Sequence, residues 1–406
     1  MRVAMIVNGF PERSEKFLLN QVTGLMDSGV DLDLFAALSP PPGRIHELAD
    51  RYRLVERTKY LCIARSLRER AAGLPGLVAR NALKYPAKTA RALFPRYATV
   101  SRNFKTLYFL DAFAARRYDV LHCHFGPNGL IGAFLKDCGF ADRLVVTFHG
   151  SDINSYPRRH GEGVYETLYD RADAVTAGTA FTKGKLVANG CPAGKIRVLP
   201  MGVRMEEYPE AKNSERSPRT ILAVGRLVDH KGFRYLIEAM AIVRQSYPDA
   251  ALRIVGEGGE RSALERRAAE LGLGETVSFL GAKSGEEMAA LYRGASVFAL
   301  PSIKAPDGAE EGQGLVLQEA QASGLPVIGS RIGGIPEGIV EGKTGFLVPE
   351  KDPAALAERI GALLGDAGLR ERMGRAGRAF VEANYAIPVL TEKLVSIYRE
   401  SAISRS

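Results

Sequence analysis

Cysteine is scarce in this sequence of 406 residues. Its four cysteines, Cys62, Cys123, Cys138 and Cys191, lie far apart and form no C-x-x-C pair. The spacing argues against a zinc site and a disulfide framework and favours reduced, cytoplasmic thiols. No apolar run approaches the ~18 residues of a membrane-spanning helix. The first ten residues predict a buried strand rather than a signal peptide.

Positive charge is concentrated in one stretch of the first half. The chain has a formal net charge of +9, whereas residues 51–117 contain 16 lysines and arginines against three acidic residues. Leucine, phenylalanine and tyrosine are interspersed there. A basic, partly apolar surface suits an anionic membrane surface, but a solvated helical face is an equal alternative. Nucleic acid is not expected as a partner, because no nucleic-acid-binding module accompanies the charge.

Short apolar runs alternate with helix-length segments in two series. Continuously apolar runs predict parallel strands that are buried on both faces, hence an α/β protein with two doubly wound, Rossmann-like domains. We place the N-terminal domain at 1–202, a linker at 203–219, the C-terminal domain at 220–386 and an amphipathic helix at 387–406. The predicted strands are 3–7, 30–35, 120–123, 144–148, 174–177, 196–199, 220–224, 251–255, 277–279, 297–300, 326–328 and 345–348.

Residues that follow the strands are the candidate site residues, because ligands bind beyond the carboxyl ends of strands in such folds. Gly9 could admit an anion, although a tight turn explains it equally well. His149 follows a strand, with Asp152 as a candidate orienting partner. Of His122 and His124 on the preceding strand, one is expected only to pack or to support the site. A hydrolase triad is rejected because no G-x-S-x-G segment exists.

A loop with two cations follows the first strand of the second series. Arg226 and Lys231 lie five residues apart in GRLVDHKG, between a buried strand and a helix. Two cations at this spacing suit a diphosphate, whose charge is spread over several oxygens. An exposed basic loop is the alternative.

Two carboxylates bracket the start of a predicted helix later in the chain. Glu311 and Glu319 lie eight positions apart, or at most about 12 Å along a helix. This span exceeds that of a glycosidase acid/base pair and matches a sugar-diphosphate-ribose unit. The amides of Gly314, Leu315 and Val316 could then hold the phosphates at the helix start. Two unrelated surface acids are the alternative.

Three motif-like segments are rejected. GEGGE at 256–260 half-matches a dinucleotide fingerprint, but its acids would repel a pyrophosphate. GKT at 342–344 lacks the first glycine of a P-loop and precedes its strand. DLD at 31–33 imitates a metal-binding D-x-D, but it lies inside a predicted strand.

Together these segments resemble glycosyltransferase family 4, retaining enzymes of the GT-B fold. The most specific parts are the E-x7-E block, GRLVDHKG and GGIPEGIVEGKTGFLVP at 333–349. NGFPERSEKF, HCHFG and TFHGSD are similar to exopolysaccharide enzymes of the colanic-acid and amylovoran type. Those enzymes usually have S-E-T-F where this chain has S-E-K-F at 14–17. The resemblance implies two Rossmann-like domains that face each other across a cleft.

The resemblance also implies roles for residues. His149 and Glu311 would be catalytic, with His149 lining the reaction centre and Glu311 holding the donor sugar. Glu319 would hold the ribose. The remaining donor-binding residues would be Gly9, Arg226, Lys231, Gly256, Lys283, Gly314, Leu315 and Val316, and the backbone near Lys283 would meet the base.

These expectations define a retaining, metal-independent hexosyltransferase without a cofactor. Its donor would be a UDP- or GDP-sugar, and its acceptor a lipid-linked molecule or polysaccharide in exopolysaccharide synthesis. The expected location is the cytoplasm, with peripheral contact to the inner face of the membrane through residues 51–117. Two alternatives stay open: transfer to a lipopolysaccharide core or soluble acceptor, and a non-catalytic GT-B protein that binds nucleotide sugars.

Overall fold

The computed structural model describes residues 1–12, 15–40, 46–64, 66–92, 97, 100, 103–113, 116–210, 216–217 and 219–400. The chain divides into two compact units: unit 1 consists of Met1–Leu199 with Thr391–Ser406, and unit 2 of Pro200–Leu390. Several residues used above lie outside the described ranges: Ser14, Arg65, Arg96, Arg102, 211–215, Pro218 and 401–406.

Unit 1 is built on a seven-stranded parallel sheet with the strand order β3-β2-β1-β4-β5-β6-β7. The central residues of its inner strands are mainly apolar and buried, whereas the two edge strands each have an exposed basic residue at their centre. The seven strands are β1 (Arg2–Gly9), β2 (Asp31–Leu38), β3 (Thr58–Tyr60), β4 (Tyr118–His124), β5 (Ala141–Phe148), β6 (Ala174–Ala177) and β7 (Ile196–Val198).

Helices connect the strands of unit 1, as right-handed parallel crossovers require. The described α-helices are α1 (Lys16–Asp27), α2 (Glu47–Arg51), α3 (Leu54–Arg57), α4 (Leu67–Ala72), α5 (Leu74–Lys84), α6 (Pro86–Ala92), α7 (Lys105–Phe113), α8 (Gly126–Asp137), α9 (Ser151–His160), α10 (Glu166–Arg171) and α11 (Ala180–Ala188). Helices α4 to α7 lie within the basic stretch between β3 and β4.

Unit 2 is built on a six-stranded parallel sheet with the order β10-β9-β8-β11-β12-β13. Its strands are β8 (Thr220–Val224), β9 (Ala251–Val255), β10 (Val277–Phe279), β11 (Val297–Leu300), β12 (Val327–Ser330) and β13 (Gly345–Val348). Its helices are α12 (Phe233–Ser246), α13 (Arg261–Glu270), α14 (Glu286–Gly294), α15 (Leu315–Ala322), α16 (Pro353–Gly365) and α17 (Ala367–Tyr385).

The last helix, α18 (Ile387–Glu400), begins in unit 2 and belongs to unit 1 from Thr391 onward. In unit 1 it packs against β4 and β5. The buried Tyr398 hydroxyl is 2.6 Å from His122 Nδ1, and Arg143 donates to the Tyr398 carbonyl at 2.6 Å. At the other end, Val203 pairs with Ala386 in an isolated parallel bridge, so the first residue of the predicted linker lies in unit 2.

The predicted α/β class with two doubly wound sheets is confirmed. Both sheets reverse their strand order between the first and fourth strands, β1 and β4 in unit 1 and β8 and β11 in unit 2. All twelve predicted strands are present to within a few residues, whereas β3 was not predicted. Asp31 and Asp33 lie on β2, where Asp31 pairs with Arg2 and Asp33 with Arg116. None of the helices in the described ranges is long and apolar enough to cross a bilayer.

Candidate donor-binding and catalytic residues

The predicted donor-binding residues of unit 2 converge on one edge of its sheet. Arg226 and Lys231 follow β8, Gly256 follows β9, Lys283 follows β10 and Glu311 follows β11. These four strands are consecutive in the sheet, and their carboxyl ends share an edge because they are parallel. Loops that are far apart in sequence therefore become neighbours at the point where the strand order reverses.

Lys231 and Glu311 form an ion pair at this edge. The Lys231 ammonium donates to Glu311 Oε2, and the two side chains are only 12% and 14% exposed. Burial acts to raise the pKa of Glu311, but attraction to Lys231 and its hydrogen bond outweigh burial and hold that pKa below the usual value. Glu311 is therefore an anion at neutral pH, available to accept from hydroxyl groups.

Arg226 differs from Lys231 in its surroundings. Its side chain is exposed, and among the described residues its guanidinium makes no hydrogen bond or ion pair. A guanidinium presents several donors in a planar fork that matches phosphate oxygens. Arg226 can therefore bind an anion without breaking a hydrogen bond or ion pair to another described residue.

Glu319 is anchored by two buried tyrosines. The Tyr292 hydroxyl donates to Glu319 Oε2 at 2.9 Å, and Tyr208 also hydrogen-bonds to this carboxylate. The two tyrosine rings pack edge to face at 5.6 Å. Burial raises the pKa of both tyrosines well above the usual value, and the Glu319 charge adds to that shift. The carboxylate is thus held in one orientation with accepting capacity left over.

Helix α15 begins between the two glutamates, as predicted. Gly314 is its N-cap residue, with φ of 77°, and Leu315 is the first helical residue. The first amides of a helix have no intrahelical partner, and the helix dipole favours anions there. Beside them, the Gln313 side chain accepts from Met201 N at 2.8 Å and donates to Met201 O at 3.0 Å. This double contact fixes the loop that carries Glu311.

The loops after β9 and β10 approach each other closely. Gly256 has φ of 138°, and a Cβ atom there would lie 1.9 Å from the Gly225 carbonyl oxygen, so only glycine fits. Gly256 N donates to Gly281 O at 2.9 Å. Lys283 lies two residues further on, and its ammonium pairs with Glu287 at 3.0 Å.

In unit 1, Gly9 ends β1 beside the acidic side chain of Glu12. A Cβ atom at Gly9 would lie 2.1 Å from Glu12 Oε1, so the Glu12 carboxylate lies directly over this glycine. Burial, together with the Glu12 charge, raises the pKa of Glu15 to about 7. A phosphate that approached Gly9 would have to displace the Glu12 carboxylate.

His149 is held by a different group from the one the sequence indicated. Its Nε2 lies 3.0 Å from Nδ1 of His124, and the two rings stack at 5.3 Å. The Asp152 carboxylate instead accepts from the backbone amides of Gly126, His149 and Gly150. The interpretation of Asp152 as the partner of the imidazole is therefore wrong, since its oxygens cap the loop backbone.

The imidazoles of His122, His124 and His149 lie close together, with His122 and His124 fully buried and His149 partly exposed. Burial lowers the pKa of His122 and of His149 to about 3, and the nearby His149 imidazole adds to the shift at His122. The pKa of His124 is lowered well below its usual value for the same reasons. All three are therefore neutral at physiological pH.

Several supporting residues were missed from the sequence. His124 was visible as the second histidine of H-x-H, a spacing that places both side chains on one face of a strand. The register pairs His124 with Thr147, two residues before His149, and only knowledge of that register identifies the contact. Nothing in the sequence indicated the tyrosines behind Glu319. In the described part of the chain, no three His, Cys, Asp or Glu side chains are grouped as metal ligands.

The chain thus combines two doubly wound parallel sheets with a cationic loop and an E-x7-E block at one edge of the second sheet, and this combination is typical of the GT-B fold class. Family models agree: residues 14–202 match the glycosyl transferase 4-like domain, and residues 204–380 match the glycosyl transferases group 1. The chain belongs to this glycosyltransferase family.

Curated relatives match over almost the whole chain. The putative colanic acid biosynthesis glycosyltransferase WcaL of Escherichia coli strain K12 is 33% identical and covers 98% of this chain and 99% of its own. The amylovoran biosynthesis glycosyltransferase AmsK of Erwinia amylovora is 34% identical over 88% of this chain and 89% of its own. The crystal structure of Anabaena HepE in complex with UDP and glucose has a TM-score of 0.72 at 18% identity, covering 98% of this chain and 100% of that one.

Proposed function

We propose that this glycosyltransferase moves a hexosyl group from a UDP- or GDP-sugar to a lipid-linked or polysaccharide acceptor in exopolysaccharide synthesis, with retention of configuration. The observation that carries the proposal is the convergence of Arg226, Lys231, Glu311 and the start of α15 on one edge of the unit 2 sheet. The names of WcaL and AmsK support an exopolysaccharide product for this chain. The UDP and glucose bound to HepE support the donor class.

Charge neutralisation at the leaving diphosphate would supply most of the rate enhancement. The diphosphate gains negative charge as the glycosidic bond breaks, and preorganised cations and amides stabilise that charge more in the transition state than in the ground state. Arg226 is exposed and unpaired among described residues, while Lys231 is held in place by Glu311. With two cations and a helix start in these roles, the chemistry needs no metal ion.

The two glutamates would bind hydroxyl groups at opposite ends of the donor. Glu311 is an anion that already accepts from Lys231 and lies 3.5 Å from the Ser302 hydroxyl. We assign it to the transferred sugar. Glu319, oriented by Tyr208 and Tyr292, is assigned to the ribose. Gly256 and Lys283 are assigned to the neighbouring nucleotide. Gly9 of unit 1 is assigned to the approach of the phosphates, which requires the Glu12 carboxylate to move away from this glycine.

His149 is assigned to the reacting sugar, as the family resemblance implies. Its neutral imidazole can form one hydrogen bond beyond the one it shares with His124. The leaving phosphate, rather than an imidazole, would then accept the proton of the acceptor hydroxyl on the same face of the sugar. The product keeps the anomeric configuration of the donor.

The acceptor side is proposed from the surface of unit 1. Helices α4 and α5 carry two exposed leucines, Leu67 at 51% and Leu83 at 86% exposure, next to Arg68 and Lys84. Part of the basic stretch is already engaged, since the buried Arg70 donates to Asn103 O at 2.8 Å. The remaining cations and leucines together suit the interface of an anionic bilayer, where a lipid-linked acceptor is found.

A transfer assay with lipid-linked sugar acceptors tests the function. We expect the wild-type protein to release one nucleoside diphosphate for each new glycoside that it forms. The anomeric coupling constant of the product in the NMR spectrum should show the same anomeric configuration as the donor. Glu311→Gln is expected to lower turnover about 10²-fold, because it removes a charged group that is positioned to bind the transferred sugar. Glu382→Gln, which removes an exposed acid of the same unit, serves as the control.

Two outcomes would overturn the proposal. Full turnover by Glu311→Gln would show that Glu311 does not bind the donor sugar. Nucleotide-sugar binding without transfer to any lipid-linked, polysaccharide or soluble acceptor would favour the non-catalytic alternative.

A further inference from the structure

The pair formed by His124 and His149 in unit 1 has a definite arrangement of protons. His149 Nε2 and His124 Nδ1 are 3.0 Å apart, which is a hydrogen bond in which one nitrogen must donate and the other accept. Burial keeps both imidazoles neutral. Each ring therefore carries one N–H, and fixing the proton on one ring fixes it on the other.

The far nitrogen of His124 decides between the two arrangements. His124 Nε2 is buried and has no hydrogen-bond partner among the described residues. A proton on this nitrogen would be a buried donor without an acceptor, which folded proteins avoid more strictly than an unfilled lone pair. The proton of His124 therefore belongs on Nδ1, where it is donated to His149 Nε2.

The remaining nitrogen of His149 then carries the proton of that ring. His149 is partly exposed, and among the described residues its Nδ1 has no hydrogen-bond partner. The rings of Phe17 and Phe125 flank the imidazole, each with its centroid 4.6 Å away. They restrict rotation of the ring and leave Nδ1 as the polar atom that can meet a ligand.

We propose that His124 is a positioning residue that fixes the proton of His149 on Nδ1, so that His149 meets its ligand as a neutral hydrogen-bond donor and not as a base. The complementary ligand atom is an oxygen with a free lone pair, such as a sugar hydroxyl or a phosphate oxygen. The proposal rests on the proposed function only for the identity of that ligand.

His122 provides a matched control on the same strand. It lies two residues before His124, is equally buried and has its ring 4.5 Å from that of His124. Both of its nitrogens are already engaged, Nδ1 with Tyr398 Oη at 2.6 Å and Nε2 with Thr147 Oγ1 at 2.7 Å. Replacing it disturbs the same region without removing the donor to His149.

NMR of the full-length protein with ¹⁵N-labelled histidine measures the tautomer directly. Two-bond ¹⁵N–¹H correlations at pH 7, with His149 assigned from a His149→Gln variant, should show wild-type His149 protonated on Nδ1. His124→Asn keeps an N–H near the Nδ1 position and should preserve this pattern, as should His122→Asn. His124→Leu removes the donor and should return His149 to the Nε2–H form that imidazoles favour in water.

The outcomes separate this proposal from the proposed function. Wild-type His149 protonated on Nε2, or an unchanged Nδ1–H form in His124→Leu, would overturn the positioning role. The wild-type spectrum decides even where His124→Leu does not fold. With an active acceptor, kcat should fall about 10²-fold in His124→Leu and recover in His124→Asn. The expected spectra without any transferase activity would leave the positioning role intact and reject the function.

Discussion

Arg226 and Lys231 have the same charge, but their side chains have different surroundings in the structure. Lys231 is buried against Glu311, where removal of one partner would leave the other charge uncompensated. Arg226 is exposed and has no partner among the described residues. The two cations are therefore expected to respond differently to mutation: Lys231 affects stability and binding together, whereas Arg226 affects binding alone.

Replacing Arg226 with alanine tests its role in binding the diphosphate. We expect the Kd for UDP or GDP, whichever the protein binds, to rise about 10- to 100-fold, because a charge-assisted hydrogen bond contributes roughly 1.5–3 kcal/mol. The unfolding temperature without ligand should stay unchanged. Isothermal titration calorimetry gives the affinities, with Arg234→Ala, an exposed arginine of α12, as the control. An unchanged Kd would remove Arg226 from the site.

For individual residues, the sequence predicted which loops carry the candidate site residues, but it did not predict which side chains contact each other. The loop positions of Arg226, Lys231 and Glu311 followed from the strands that precede them. The pairing of Lys231 with Glu311 did not, because side chains 80 residues apart meet only through the order of the strands. The same limit explains why the sequence indicates Asp152 as the partner of His149: Asp152 is near in sequence, whereas His124 meets the imidazole only through the register of β4 and β5.

At the scale of elements, the continuous apolar runs were the strongest signal. Twelve strands were predicted from them, because residues that are buried on both faces of a sheet are mostly apolar. Strand β3 was missed because it has three residues and contains an exposed Lys59. It pairs with β2 at the edge of the sheet, where only one neighbour is available. Apolar content therefore identifies inner strands better than edges.

The turn after β9 gives a prediction about how unit 2 is assembled. Gly256→Ala would introduce a Cβ atom 1.9 Å from the Gly225 carbonyl oxygen at a positive φ. The β8 and β9 loops would have to separate, so we expect a loss of several kcal/mol of stability in addition to weaker nucleotide binding. Thermal unfolding measures the first effect.

Gly259→Ala in the same turn is the matched control. A Cβ atom at Gly259 would have no atom within 4 Å, so its stability should equal that of the wild type. Equal unfolding temperatures for the two variants would contradict the close approach of the loops at Gly256.

The contact between α18 and β4 predicts a pH dependence of stability. His122 is buried with a pKa of about 3, below its value in the unfolded chain, so its neutral form stabilises the fold above about pH 6.5. That contribution is lost as the pH falls and decreases by about 2 kcal/mol between pH 7 and pH 5. His122→Asn lacks this titration. The difference in unfolding free energy between wild type and variant should therefore shrink by this amount at pH 5.

Urea unfolding at the two pH values measures this difference. His160→Asn, which replaces an exposed histidine at the end of α9, is the control. A His122→Asn difference that does not change with pH would show that the imidazole is not buried in the neutral form.

At the level of the whole molecule, charge distinguishes residues 51–117 from the rest of the chain. Residues 51–117 have an excess of lysine and arginine, whereas the remainder is net negative. We expect the protein to float with anionic lipid vesicles at low ionic strength and to be released at high salt, since surface electrostatics is screened there. Leu83→Ser should weaken binding to the vesicles about tenfold, because the variant lacks the free energy gained when the leucine side chain moves from water into the membrane interface.

Val340→Ser is the control for this experiment, because it removes an exposed apolar side chain from unit 2. Its flotation should equal that of the wild type. Absence of flotation at low salt would remove the argument for a membrane-associated acceptor and would favour a soluble one.

A crystal structure with bound UDP or GDP would show where this protein holds its nucleotide. We expect the diphosphate between Arg226, Lys231 and the amides of Gly314–Val316, with the ribose hydroxyls on Glu319. A nucleotide bound elsewhere on the chain would contradict this expectation, as would an occupied site in which Arg226 and the start of α15 make no contact with phosphate.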